Sequence, residues 1–154
     1  RLAELKPHLL VISSTSYDPG GSDVGLDSDQ VWNRGLTTTL DAMRASAGEL
    51  LIIGDTPLPA HQVPNCLLKV PGNVPYCGAD RAKAVDKSRI ELEQQIAASY
   101  EGTFVSTSSW LCGTSKCPVI LGNILMWRDN NHVSATMSKY LAPFLDAVVT
   151  PLLT

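Results

Sequence analysis

The sequence predicts an α/β layered fold, in which helices pack on a parallel β-sheet. Three observations support this fold class: an apolar run at residues 8–13, an amphipathic segment that begins at Ser28, and a second apolar run at residues 49–54. Continuous apolar runs closed by small polar residues are typical of strands buried on both faces of a parallel sheet. A strand, a helix and a strand in this order form a crossover unit, whose two strands pair in parallel.

The first half of the chain is predicted element by element from its local patterns. Residues 8–13 are predicted as a central strand, and residues 14–27, rich in Gly and Asp, as a solvated loop. The Asp spacing in this loop does not fit the calcium-binding EF-hand pattern. From Ser28, apolar residues recur at spacings near three and four, which predicts a helix that ends at Gly48. Residues 49–54 are predicted as the second buried strand.

The next segment combines a long irregular stretch with a helix and a strand. Residues 55–79 contain five prolines and two cysteines, so a long loop is predicted there, and such loops usually flank a functional site. A helix is predicted from Asp80 to about Tyr100, with apolar residues on one face and Lys, Arg and Glu on the other. A short third strand is predicted at residues 103–106.

The last part of the chain is predicted to contain a hairpin and a final helix. Gly122 and Asn123 interrupt the apolar stretch 119–127, which indicates a tight hairpin turn. The final helix is predicted to begin at about Ser134, and Pro143 should kink or split it.

Length, charge and composition exclude several classes of protein. The chain has 154 residues, and residues 1–154 are expected to form a single domain. Lys and Arg number 12 against 15 Asp and Glu, a formal charge of −3, so nucleic acid is not an expected partner. With 44% hydrophobic and 18% charged residues, the chain should fold. No apolar run reaches the roughly 18 to 20 residues of a membrane span.

The four cysteines form two pairs that are local in sequence, Cys66 with Cys77 and Cys112 with Cys117. Two short disulfide bonds would indicate an oxidising compartment. A zinc site is the alternative, but it is usually built from two closely spaced cysteine pairs, whereas ten residues separate Cys66 from Cys77. We therefore expect two disulfide bonds and no metal site.

The best candidate for catalysis is the segment that holds Asp129 and His132, between the predicted hairpin and the last helix. An imidazole can deprotonate a hydroxyl nucleophile, while a carboxylate fixes its tautomer and stabilises the imidazolium. A tight loop would fix the geometry of the two groups. The alternative interpretation is an Asp that caps the helix beside a surface His.

Other motifs carry weaker signals. Gly54-Asp55-Thr56 follows a buried strand as nucleophile turns do, but Thr is a rare nucleophile away from an N-terminus, and Pro57 disfavours a helix there. A structural turn is the favoured interpretation. His8 and His61 have no carboxylate or cysteine at ligand spacing, so both are predicted to be surface or capping residues.

The order of these features resembles a known family, the extracytoplasmic SGNH-hydrolase-like domain fused behind the membrane-spanning part of bacterial acyltransferase family 3 proteins. The resemblance covers nearly the whole chain. It is carried by residues 53–57, 63–66, 110–118, 127–134 and 140–143.

This resemblance implies a three-layer α/β/α, flavodoxin-like fold and a Ser-His-Asp site. His132 would be the base and Asp129 the residue that orients it. The family's serine lies in a Gly-Asp-Ser motif on a strand upstream of the segment that residues 1–7 resemble, and the oxyanion residues have no counterpart here. The chain is therefore expected to be the C-terminal two thirds of the domain, incomplete at its N-terminus and part of a longer membrane protein.

The resemblance also implies a function and partners. The domain would pass an acyl group, delivered by the membrane domain of the same protein, to a hydroxyl of a cell-surface glycan or glycolipid, without a cofactor. It would lie on the extracytoplasmic side, tethered through the parent protein. A carbohydrate esterase of the same fold and a non-catalytic glycan-binding domain are the alternatives.

Overall fold

The computed structural model describes residues 2–13, 15 and 28–154. The predicted loop 14–27 therefore lies outside the described residues except for Thr15. In chain order the helices and strands are α1 (Leu2–Leu5), β1 (Leu9–Ser13), α2 (Ser28–Met43), β2 (Glu49–Ile53), α3 (Val63–Lys69), β3 (Ala79–Asp80), α4 (Arg81–Ala84), α5 (Lys87–Ser99), β4 (Thr103–Val105), α6 (Ser108–Leu111), β5 (Lys116–Cys117), β6 (Ile120–Leu121), β7 (Ile124–Leu125) and α7 (Ala135–Val149).

The chain divides into two compact units. The first comprises residues 1–55, 87–106 and 149–154, and the second comprises residues 56–86 and 107–148. In the described part of the chain, no helix combines the length and apolar character that crossing a membrane requires.

A parallel three-stranded sheet is the centre of the first unit, in the order β1-β2-β4. Leu9 lies opposite Glu49, and Leu51 lies opposite Thr103, with both pairings parallel. The sheet and the helices α2 and α5 bury a common core, made of Leu36, Leu40, Leu50, Ile52, Ile96 and Ala97. The predicted α/β class and the strand–helix–strand crossover are confirmed.

The position of β1 differs from the prediction. Within the described residues, β1 pairs with β2 and no other strand, and Val11 is 47% exposed. The central strand is β2, whose Leu50, Leu51 and Ile52 are at most 2% exposed. An apolar run indicates that both faces of a strand are hydrophobic, but it does not indicate how many strands pair with it. The run at residues 8–13 therefore could not distinguish an edge strand from a central strand.

Two predicted helix boundaries are also wrong. The helix α2 ends at Met43, and a 3₁₀ turn at Arg44–Ser46 replaces its last predicted turn. The helix predicted from Asp80 to Tyr100 is two helices, α4 and α5, because Val85 between them is extended with φ −112° and ψ 118°.

Two charged residues of α5, predicted to face solvent, are buried: Arg89 is 5% exposed and Glu93 is 3% exposed. Nη2 of Arg89 lies 3.1 Å from Oδ1 of Asp29, and its guanidinium carbon lies 4.3 Å from the centre of the Trp32 ring. A cation packed on an indole ring and paired with a carboxylate is a stable way to bury an arginine. Arg89 therefore joins α5 to α2.

The second unit is held together by its own core and two disulfide bonds. Trp127, Met126, Met137, Leu111 and Val119 are at most 2% exposed, and they pack with Val63 and the disulfide Cys66–Cys77. The second disulfide joins Cys112 to Cys117. These are the two pairings that the sequence predicts.

The proline-rich segment 55–79 is less irregular than predicted. It contains α3 and a 3₁₀ helix at Val74–Cys77, each with a proline in its first turn. Proline is tolerated there, because the first N–H groups of a helix have no partner within the helix.

The hairpin β6–β7 is confirmed, with antiparallel pairing of Leu121 and Ile124 and a left-handed Gly122 at φ +58°. A left-handed backbone at this position explains the glycine. The final helix runs from Ala135 to Val149 through Pro143, so Pro143 does not split it.

The disulfide bond that closes the longer loop should contribute more to stability than the one that closes the shorter loop. Replacing Cys66 and Cys77 together by alanine should lower the free energy of unfolding by about 3 kcal/mol, against about 2 kcal/mol for Cys112 and Cys117, because the first pair closes a longer loop. Urea unfolding of the two double variants and the unaltered chain measures both changes. Equal midpoints for all three proteins, or peptide mapping that finds other pairings, would contradict this expectation.

Candidate active site

The loop at residues 128–132 is closed by backbone hydrogen bonds at its base. The N–H of Arg128 donates to the carbonyl of His132 at 2.8 Å, and the N–H of Ser134 donates to the carbonyl of Met126 at 2.8 Å. Trp127 and Val133 form an isolated antiparallel bridge. Trp127 is 1% exposed, and its Nε1 donates to the carbonyl of Pro118. The ends of the loop are therefore fixed to the buried core of the second unit.

Asp129 organises the inside of this loop. Its Oδ1 accepts hydrogen bonds from the backbone N–H of Asn131 at 3.0 Å and of His132 at 2.7 Å. This arrangement is an Asx turn, in which a short carboxylate side chain replaces a backbone carbonyl. The same turn brings the side chain of His132 back toward the carboxylate.

The second carboxylate oxygen of Asp129 contacts the imidazole. Oδ2 lies 2.8 Å from Nδ1 of His132, a normal distance for a hydrogen bond to a charged acceptor. A carboxylate accepts only, so Nδ1 carries the proton and donates it. In this tautomer Nε2 is the ring's acceptor nitrogen. The side chain of His132 is 58% exposed, and that of Asp129 is 23% exposed.

The electrostatics of the loop keep Asp129 ionised. The hydrogen bond from the N–H of Asn131 lowers the pKa of the Asp129 carboxyl far below its usual value, and the backbone and ring of His132 lower it further, while partial burial acts in the opposite direction. Nε of Arg128 lies 3.3 Å from Oδ2. Asp129 is therefore negatively charged at neutral pH, and this charge can stabilise an imidazolium when His132 accepts a proton.

The alternative role of Asp129, as a cap of the last helix, does not apply. The residue that caps α7 is Ser134, whose Oγ accepts from the N–H of Met137 at 3.1 Å and donates to the carbonyl of Leu125 at 2.5 Å. The carboxylate of Asp129 instead accepts hydrogen bonds from backbone N–H groups of the loop and from the imidazole of His132.

The other histidines and the Gly-Asp-Thr segment have different environments. Thr56 Oγ1 donates to the carbonyl of Asn131 at 3.4 Å, and Asp55 accepts from the hydroxyl of Thr15. The helix that follows this segment begins at Val63, so the geometry of a nucleophile turn is not formed. His8 is exposed.

His61 has an aromatic partner that its lone position in the sequence does not predict. This ring stacks on Tyr76, with centroids 5.3 Å apart and an angle of 15° between the planes. The two residues lie 15 positions apart in a segment predicted to be irregular, so no periodic pattern could have paired them. A signal was nevertheless present, because the disulfide adjacent to Tyr76 brings that residue back to α3.

A metal site is not formed by the residues that the structure describes: they contain no group of three or more His, Cys, Asp or Glu side chains placed to hold an ion. The four cysteines are all used in disulfide bonds.

The comparisons with known proteins agree with this architecture. A search of solved structures finds the periplasmic domain of a lipopolysaccharide acetyltransferase from Salmonella ser. Paratyphi A, with a TM-score of 0.73 and 13% sequence identity. The match covers 97% of this chain and 59% of the neighbour's chain, so this chain spans less than two thirds of the length of that periplasmic domain. Among curated proteins no match is found.

The sequence profile that matches the chain is that of the SGNH domain fused to AT3 domains, the acyltransferase family 3 domains, and it matches residues 2–147. This match extends over most of the chain, including both units and the loop with Asp129 and His132. The chain therefore belongs to the family of SGNH domains that are fused to AT3 domains.

Proposed function

We propose that this domain transfers an acyl group, in the first instance acetyl, to a hydroxyl of a cell-surface glycan or glycolipid. His132 is the general base of the reaction, and Asp129 orients its ring and stabilises the imidazolium that forms. The nucleophile is a serine outside residues 1–154. The domain acts on the extracytoplasmic side of a membrane protein, whose membrane domain delivers the acyl donor.

The observation that carries this proposal is the hydrogen-bonded pair of Asp129 and His132. The 2.8 Å contact engages Nδ1 and leaves Nε2 on a ring that is 58% exposed. A base must reach its substrate's proton directly or through one water, and a half-exposed ring on a fixed loop meets that condition.

The proposed chemistry has two steps that use the same base. First, Nε2 of His132 accepts the serine proton as the serine oxygen attacks the acyl carbonyl, and it returns the proton to the departing donor group. Next, Nε2 accepts the proton of the acceptor hydroxyl, whose oxygen attacks the acyl-serine, and it returns that proton to the serine oxygen. In both steps Asp129 stabilises the transient imidazolium.

Two findings support the glycan acceptor and the acetyl group. SGNH domains fused to AT3 domains form the family of the chain, and the structural neighbour is the periplasmic part of a lipopolysaccharide acetyltransferase. A sugar hydroxyl and water can use the same base, so the product decides between transfer and hydrolysis.

The test is to identify that product with the complete parent protein in its membrane. Membranes that contain the parent, an acetyl donor and the cell-envelope glycan fraction should yield O-acetylated glycan, which mass spectrometry and base-labile acetyl release detect. Free acetate with no acetylated glycan would show that the domain is an esterase instead. Absence of both products would favour a non-catalytic glycan-binding domain.

The chain alone should be inactive toward small aryl esters. Asp129 and His132 without the serine provide only weak general-base assistance to water. We expect hydrolysis of p-nitrophenyl acetate by the 154-residue chain to exceed that by the same chain with His132→Ala by no more than a few-fold, the size of weak general-base assistance, and to be insensitive to serine-directed inhibitors. Hydrolysis that a serine-directed fluorophosphonate inhibits would contradict this expectation, because it would require a nucleophile within the chain.

A further inference from the structure

The second unit contains a cavity to which the proposed chemistry assigns no role. It lies between α3 and the 3₁₀ helix at Val74–Cys77, has a volume of about 350 Å³, and is lined by His61, Gln62, Asn65, Lys69 and Tyr76 together with Cys66 and Val70. This volume falls within the ~300–1,000 Å³ range of sites for small ligands.

One wall of the cavity is aromatic. His61 and Tyr76 stack with centroids 5.3 Å apart, and Tyr76 is 58% exposed although it is a large aromatic residue. An exposed ring fixed by a stacked neighbour is a rigid amphipathic surface that loses little conformational entropy on binding. The C–H face of a sugar ring is a suitable partner for such a surface.

The polar lining offers groups that match hydroxyls and an anion. The side-chain amides of Gln62 and Asn65 each provide two donors and an acceptor, and a sugar hydroxyl both donates and accepts. Lys69 provides a positive charge, while no Asp or Glu lines the cavity. The chemistry of the lining therefore favours a sugar that carries a negative charge over a neutral sugar or a cation.

The cavity is held in shape by covalent and backbone links. The disulfide Cys66–Cys77 joins α3 to the residue that follows Tyr76. The N–H of Val70 donates to the carbonyl of Cys66 at 3.0 Å, and the N–H of Tyr76 donates to the carbonyl of Asn73 at 3.1 Å. A site whose walls are fixed before binding pays a smaller ordering cost.

We propose that this cavity binds an anionic sugar residue, a uronic acid or a sugar phosphate, of the acceptor glycan. The inference rests on the proposed function in one respect, namely that the acceptor is a glycan. The sugar ring lies against Tyr76, its hydroxyls bond to Gln62 and Asn65, and its carboxylate or phosphate pairs with Lys69.

Binding to the chain itself tests this inference without any need for turnover. Titrations of the ¹⁵N-labelled chain with glucuronic acid, glucose 6-phosphate, glucose and inorganic phosphate, followed by NMR, distinguish the two anionic groups, the neutral ring and the bare anion. Both anionic sugars should shift the resonances of the cavity residues and bind about three- to fivefold more tightly than glucose, the modest gain of one exposed charge pair. Phosphate alone should bind more weakly than glucose 6-phosphate.

Three variants locate the site. Tyr76→Ala should abolish the shifts, and Lys69→Gln should reduce the affinity for the anionic sugars to that for glucose. Leu68→Ala is the matched control, since Leu68 lies on the same helix, is 80% exposed and does not line the cavity. It should bind like the unaltered chain.

The outcomes separate this inference from the proposed function. His132→Ala should keep the sugar shifts, so binding without turnover would support the cavity even if acyl transfer were disproved. No shifts with any sugar, or equal affinities for glucose and both anionic sugars, would overturn the inference and leave acyl transfer unaffected. Equal binding of phosphate and glucose 6-phosphate, with no effect of Tyr76→Ala, would indicate an adventitious ion only.

Discussion

Replacing His132 by alanine in the complete parent protein should reduce acyl transfer by roughly four to six orders of magnitude, the range seen when serine triads lose their base. The reason is that, of the two side chains described in contact with the Asp129 carboxylate, Arg128 is a cation and His132 is the one that can accept a proton. The fold should tolerate the change, because the imidazole is 58% exposed and the backbone N–H and carbonyl of His132 keep their hydrogen bonds. Removing such a surface side chain usually changes stability by under about 0.5 kcal/mol.

The measurement compares initial rates of glycan acetylation and melting temperatures for the unaltered parent, His132→Ala and His8→Ala. His8 is the matched control, an exposed histidine of the first unit that lies immediately before β1. It should retain full activity. If His132→Ala transferred the acyl group at more than a few per cent of the normal rate, His132 would not be the base.

The elements that the sequence predicts well are those whose signal is local. The strand β2 is a run of apolar residues that is buried along its middle, and the turn of the β6–β7 hairpin has a glycine at the position with positive φ. In both cases the residues that carry the pattern also form the contacts that stabilise the element. Local pattern and tertiary structure therefore agree.

Two features of the α4–α5 region differ from the prediction, the burial of Arg89 and the break at Val85, and the first depends on partners distant in sequence. The charged residues of α5 predict an exposed face, but Arg89 is buried. Its guanidinium packs on the ring of Trp32 and pairs with the carboxylate of Asp29, both in α2. Val85 looks like part of an amphipathic face, although its extended backbone separates α4 from α5. No helical periodicity reports either effect.

The sequence predicts which two residues form the candidate site, but it does not predict the Asx turn that brings their side chains together. The spacing of Asp129 and His132 is compatible with a helix cap or with a catalytic pair. The contact that argues against the helix cap is the hydrogen bond from the N–H of Met137 to Ser134 at the start of α7, whereas Asp129 forms the Asx turn; the catalytic role stays a prediction. The cavity beside Tyr76 was not predictable, because it depends on a disulfide loop with no regular pattern.

The Asp129→Asn variant should separate the structural role of this carboxylate from its catalytic role. The asparagine Oδ1 can still accept from the N–H groups of Asn131 and His132, so the Asx turn should persist. Its Nδ2 is a donor, however, and would face Nδ1 of His132, which must then become an acceptor. The ring proton moves to Nε2, the atom that has to accept the substrate's proton.

Acyl transfer by Asp129→Asn should therefore fall by about four orders of magnitude, as in serine triads with the same substitution, while the melting temperature changes little. Asp129→Ala should be equally inactive and also less stable, because both backbone N–H groups lose their acceptor. Asn130→Ala, in the same exposed loop, is the control and should remain active.

The ¹⁵N chemical shifts of the imidazole nitrogens show directly which nitrogen carries the proton. Since the activity loss is attributed to the proton's position, an inactive Asp129→Asn variant that kept its proton on Nδ1 would disprove this explanation, and an active variant would remove Asp129 from the mechanism.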